Sequence, residues 1–280
     1  MMRTNSYNGL SAAGFHKVVY YEWGEPTAPV VLCVHGLTRN GRDFDALAEA
    51  LAAKGKRVIA PDIVGRGQSD RLLNPALYGY PQYCADMAAL IARLGVTTLD
   101  WVGTSMGGLI GMTLAAQAHT PIRKLVMNDV GPFIPKASLE RLASYVGTDP
   151  HFATLKELEN YLRQIHAPFG NLTDADWAHM AEHSHTLLPD GQFALAYDPA
   201  IAMAFKGVPV QDVNLWPFWD MLKCETLVLR GANSDLLLPE TAAEMTRRGP
   251  KATLVEIPNA GHAPALLDPQ QISIVSNFLF

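Results

Sequence analysis

Leu99-Asp-Trp-Val-Gly-Thr-Ser105-Met-Gly-Gly108 is the stretch on which the reading of this chain turns. Thr98–Gly103 has the β-branched, apolar look of a buried strand, and Met106–Ala118 has a helical pattern. A strand that turns into a helix within one residue forces its apex into a strained backbone conformation. It also brings strand and helix so close that the flanking positions cannot carry side chains. Gly103 and Gly107 meet that demand on either side of Ser105. The start of the helix also aims backbone N–H groups at incoming negative charge. The spacing therefore predicts Ser105 as a nucleophile. A glycine-rich packing turn with an incidental serine is the competing reading, and the strand–turn–helix context argues against it.

Working outward, a serine hydroxyl needs a base, and the tetrahedral intermediate needs two N–H donors. Met106, directly after the serine, supplies one donor. Leu37, in His35-Gly36-Leu37 after the apolar run Val30–Val34, supplies the other, and only its backbone is used. His35 is read as a structural support of that loop. Among nine histidines, His262 in Pro258-Asn-Ala-Gly-His-Ala-Pro264 follows the last strand pattern and precedes the final helix, so it is the expected base. Two aspartates compete to orient it. Asp235 follows the penultimate strand and gives the chain order Ser, Asp, His, and is preferred. Asp129 follows the preceding strand; otherwise it organises the Val130-Gly131-Pro132 turn. His179, His183 and His185 invite a metal reading, since positions i and i+4 share a helix face. No carboxylate or cysteine completes a convincing set, so neither a metal nor a cofactor is expected.

The rest of the chain alternates strand and helix. Strands are expected at Val18–Trp23, Val30–His35, Arg57–Pro61, Lys124–Asn128, Thr226–Arg230 and Thr253–Ile257, besides Thr98–Gly103. Helices are expected at Phe44–Lys54, Pro81–Leu94, Pro239–Arg247 and Gln270–Phe280, besides the one after Ser105. This is the rhythm of an α/β fold with a mostly parallel sheet flanked by helices. It breaks near Phe133 and resumes near Thr226. Between them lie helical and loop segments rich in aromatics, with no strand-like run. Residues 1–132 and 217–280 are thus expected to form one core, with 133–216 a helical cap inserted into it, lying over Ser105.

Composition narrows the partners. A net charge of −5 gives no electrostatic footprint for nucleic acid. The apolar stretch Trp101–Ala116 is sixteen residues, short of the ~20 that cross a bilayer, and glycines interrupt it. The first fourteen residues lack a charged-then-apolar signal pattern. Cys33, Cys84 and Cys224 are too few and too scattered for a disulfide framework, which suits a reducing cytoplasm. A cytoplasmic enzyme acting on a small ester-like molecule is the expectation.

Taken together, these motifs resemble the α/β-hydrolase fold over nearly the whole chain. His35-Gly36-Leu37 resembles the family's oxyanion loop, and Asp62-Ile-Val-Gly65-Arg-Gly67-Gln-Ser69-Asp70 its structural turn. Ser105, Asp235 and His262 fall on its nucleophile, acid and base positions, while Asp129 sits where some dehalogenases of this fold keep their acid. The resemblance implies a cap after the sixth strand and a serine carboxylesterase working through an acyl-enzyme. Thioesterases, lactonases and carbon–carbon bond hydrolases share the apparatus. Ala263-Pro264 after the base lacks the aromatic that many carbon–carbon hydrolases carry there. A ligand receptor on the same fold is the reading from another class, and turnover of p-nitrophenyl esters with and without Ser105 separates it.

Overall fold

The computed structural model describes residues 1–205 and 209–280. Eight strands form one sheet: β1 (Arg3–Ser11), β2 (Gly14–Trp23), β3 (Val30–Val34), β4 (Arg57–Pro61), β5 (Leu99–Thr104), β6 (Ile122–Asn128), β7 (Glu225–Gly231) and β8 (Thr253–Ile257). Their order is β1-β2-β4-β3-β5-β6-β7-β8. β2 runs antiparallel to both its neighbours and every other pairing is parallel. This is the α/β-hydrolase architecture, as expected. β1 was not foreseen. Its sequence, RTNSYNGLS, has one buried residue, Gly9, because it lies at the sheet edge and pairs only with β2.

β3, at the centre of the sheet, is apolar throughout because both its faces are covered. Val30, Leu32 and Val34 of β3 enter one hydrophobic core, while Val31 and Cys33 enter the other. Leu125 and Met127 of β6 likewise point opposite to Val126. The first core is closed by α2 (Tyr80–Leu94) and α3 (Met106–Ala115); the second by α1 (Asp45–Ala53) and the C-terminal helix Pro269–Leu279. Asp62, fully buried, accepts hydrogen bonds from Tyr21 Oη and from the N–H groups of Gly41 and Gln68. Burial still pushes its carboxyl up to about 6. The Asp62–Asp70 turn is thereby a structural staple between β2, β4 and the loop before α1.

Between β6 and β7 the chain leaves the sheet. It forms α4 (Lys136–Tyr145), α5 (Leu155–Ile165), α6 (Asp174–His183) and the short α7 (Trp216–Met221). This segment was expected to lack strands, and that is corrected. His151–Phe152, Phe193–Leu195 and His185–Leu187 pair into a small antiparallel sheet, and Phe133–Ile134 pairs with Val213–Asn214. Ladders of two or three residues carry no period-2 pattern that a sequence could display.

Candidate active site

Ser105 occupies the apex between β5 and α3 with φ 51° and ψ −115°. For a residue with a side chain this backbone is strained, and it persists because its surroundings over-determine it. A Cβ on Gly107 would stand 1.9 Å from the Val34 carbonyl oxygen, and one on Gly103 2.3 Å from the Gly107 carbonyl carbon. The steric demand read from the sequence is therefore met by these two glycines. Trp101 Nε1 donates to the Gly107 carbonyl at 3.0 Å and fastens the first turn of α3 to β5.

His262 lies in the loop after β8. Its Nε2 is 2.9 Å from Ser105 Oγ and its Nδ1 is 2.7 Å from Asp129 Oδ2. An ionised carboxylate only accepts, so Nδ1 carries the proton and Nε2 is left with its lone pair toward the serine. Asp129 follows directly on β6 and is fully buried. Gly231 N donates to its Oδ1 at 2.7 Å, and Ser234 Oγ donates to its Oδ2 at 2.6 Å. Its own N–H donates to the Leu229 carbonyl at 2.8 Å, so the end of β7 holds the residue by both backbone and side chain.

The preferred aspartate is not at the imidazole. Asp235 lies half exposed on the loop after β7, where Arg141 of α4 binds its carboxylate and Ser138 Oγ donates to its carbonyl. The residue before it, Ser234, is the one that turns inward, and it brings a hydroxyl rather than a carboxylate. Asp129, the second candidate, has taken the place. Ser234 and Asn128 were both missed by sequence reasoning. Asn128 Nδ2 donates to Thr104 Oγ1 and to the Pro264 carbonyl, which joins the nucleophile turn to the histidine loop. Neither residue type carries a motif that would have marked it.

Leu37 and Met106 lie beside the serine as expected. Both line the cavity that holds Ser105, and a Cβ on Gly36 would be 3.7 Å from the Ser105 Cβ. Among the described residues, neither the Leu37 nor the Met106 N–H has a protein acceptor. His35 supports the loop. Its Nε2 accepts from Ile63 N at 2.9 Å, so Nδ1 must carry the proton that it gives to the Gly36 carbonyl at 2.7 Å. Burial pushes its pKa down to about 3 and keeps it neutral.

Two spaces open on Ser105. One is an apolar cavity of about 640 Å³, walled by Met106, Leu109, Leu139, Leu142, Phe218 and neighbours. The other is a recess of about 60 Å³, with Arg39, Arg141, His166 and His179 on its walls. His166 is buried and stacked on Phe169. Burial, then the charges of Arg39 and His262, hold its pKa well below the usual imidazole range.

The profile of the family described as alpha/beta hydrolase fold matches residues 29–269. The chain belongs to the α/β-hydrolase-fold family. It is an enzyme of that family, a hydrolase. It is similar to a 3-hydroxybutyrate-oligomer hydrolase from Cupriavidus necator, 45% identical over 96% of this chain and 94% of the relative. An sn-1-specific diacylglycerol lipase from Mus musculus is 26% identical over 91% of this chain and 82% of the lipase. A crystal structure of an alpha/beta hydrolase from Novosphingobium aromaticivorans superimposes with a TM-score of 0.88 at 36% identity, covering 100% of this chain and 99% of the other. No described helix is long and apolar enough to cross a membrane.

Proposed function

We propose that this hydrolase cleaves carboxylic esters through Ser105, His262 and Asp129, and that its substrates are short esters of aliphatic hydroxy acids. The continuous relay from Ser105 Oγ through the imidazole to the buried Asp129 carboxylate carries the first half of that statement. Ser105 Oγ attacks the ester carbonyl while its proton passes to His262 Nε2. Asp129 holds the Nδ1 proton and stabilises the imidazolium that forms. The N–H groups of Leu37 and Met106 receive the oxyanion. His262 returns the proton to the departing alcohol, leaving an acyl-serine. A water then repeats the sequence: its proton goes to Nε2 and its oxygen to the acyl carbon, and the freed acid leaves as Ser105 recovers its proton.

The similarity to the 3-hydroxybutyrate-oligomer hydrolase supports the substrate class. The two unequal spaces beside Ser105 support it independently. An apolar cavity of about 640 Å³ suits methyl-bearing ester units, and the recess walled by arginine and histidine suits a polar chain end. Residues 133–216 act as the cap that shapes both spaces. Three free cysteines are in keeping with a cytoplasmic setting. The test is turnover of linear 3-hydroxybutyrate dimer and trimer beside p-nitrophenyl esters of graded chain length. Release of 3-hydroxybutyrate by wild type and not by Ser105→Ala is the expected result. Ester turnover without oligomer cleavage would overturn the substrate class; equal turnover by Ser105→Ala would overturn the chemistry.

A further inference from the structure

Beside the recess that Arg39 and Arg141 border, the inserted segment meets the core through a cluster of which only His179 reaches a space at Ser105. The geometry points to a divalent transition-metal site formed by Asp45, His179 and His183, which takes Zn²⁺ and ties α6 to α1. Asp45 opens α1, and His179 and His183 stand one helical turn apart on α6. One ligand atom from each lies within 4.8 Å of the others, a set found among the described residues. His185, the third histidine of the sequence cluster, is outside it: its Nδ1 meets the Ala181 carbonyl and its ring packs on Phe193. The carboxylate that the sequence did not offer comes from a distant part of the chain.

Two imidazoles and a carboxylate are an ordinary zinc set, with a fourth, open position for water. Tetrahedral bonds of ~2.0 Å place ligand atoms about 3.3 Å apart. His179 Nε2 and Asp45 Oδ2 are already at 3.5 Å, so that edge is built. The His179 and His183 rings meet edge to face with centroids 4.5 Å apart, and a rotation of His183 closes the set. His183 ends α6, where the carbonyl end of the helix favours a cation.

A cation already stands at the cluster. The Arg42 guanidinium binds both Asp45 oxygens and reaches within 3.5 Å of His183 Nδ1. Zinc must take Asp45 Oδ2 from it and also bear its charge nearby. His179 Nε2 also faces the Arg42 carbonyl at 3.2 Å, so zinc binding moves the His179 proton to Nδ1. Arg42 is therefore the residue that sets the affinity. Removing its charge should strengthen metal binding, which no merely structural histidine pair would do.

Zinc titration into the full chain, read by calorimetry and by the thermal unfolding midpoint, tests this. Wild type should bind one zinc that raises the midpoint. His183→Ala and Asp45→Asn should each raise the half-saturating zinc concentration at least ten-fold and lose the midpoint shift. Arg42→Gln should lower it. In metal-free buffer His183→Ala should turn over p-nitrophenyl acetate like wild type, because His183 lines neither space at Ser105. Unchanged zinc binding in His183→Ala or Asp45→Asn, or weaker binding in Arg42→Gln, overturns the site. None of these binding readouts depends on Ser105, so they fail or succeed apart from the ester chemistry.

Discussion

Asp129 and Asp235 each follow a parallel strand of the same sheet, at the edge where such folds collect their chemistry. One is sealed from solvent and held by Gly231 N, Ser234 Oγ and His262. The other is half exposed and paired with an arginine of the inserted segment. A carboxylate's role is set by the donors that close around it, and its rank in the chain does not decide it. Family order alone favours Asp235; the hydrogen bonds favour Asp129.

The largest effect tests whether the imidazole that separates the two aspartates serves a nucleophile at all. Ser105→Ala should lower kcat by on the order of 10⁶-fold, because residues of a relay act as a unit. A fluorophosphonate should label wild type and leave the variant unlabelled; a labelled variant would place the nucleophile elsewhere.

His35 offers the same contrast among histidines, since both its nitrogens are used structurally. His35→Phe should cost about 1–3 kcal/mol at pH 7, as Ile63 N–H loses its acceptor in a buried site. The sign with pH follows from its lowered pKa of about 3. Below about 6.5 the unfolded chain binds a proton that the folded one refuses, so stability falls as pH falls, by about 1.4 kcal/mol per pH unit for this group. Urea unfolding between pH 6 and 4.5 should show a slope shallower by about one proton in the variant. Equal slopes would mean that His35 titrates normally in the folded chain.

The wall of the apolar cavity should matter to preference rather than to chemistry. Leu139→Ala or Phe218→Ala should shift relative kcat/KM among acyl chain lengths by no more than roughly 10–200-fold, while phosphonate labelling of Ser105 persists. An unchanged chain-length profile in both variants would remove the cavity as the acyl site. Smallest of all, Asp235→Asn should change stability by less than about 1 kcal/mol, the range of exposed ion pairs. A larger loss in urea unfolding would show that the Arg141 link holds the inserted segment in place.

What the sequence could reveal follows from local physics. Val30–Val34 was legible because a doubly covered strand is continuously apolar, and Leu99–Thr104 because its run is broken only by the buried, ion-paired Asp100 before its closing turn. Ser105 was legible because its turn needs glycines at fixed offsets. β1 was not, because an edge strand with little buried surface has no apolar pattern. The two-residue ladders of the inserted segment are too short for a period. The choice between the aspartates depended on which strand end approaches His262, and Ser234 and Gly231 settle that approach through contacts more than a hundred residues away in sequence. The Asp45 partner of His179 and His183 was hidden for the same reason.

The most direct test of the central claim is kcat for Asp129→Asn and Asp235→Asn, measured side by side on one p-nitrophenyl ester. An asparagine amide at 129 would donate to His262 Nδ1, force the proton onto Nε2 and leave the serine without an acceptor. Asp129→Asn should therefore fall by on the order of 10⁴-fold, with Asp235→Asn within about two-fold of wild type, since an exposed ion pair contributes ~1 kcal/mol at most. A collapse of Asp235→Asn with Asp129→Asn largely active would contradict the relay described here.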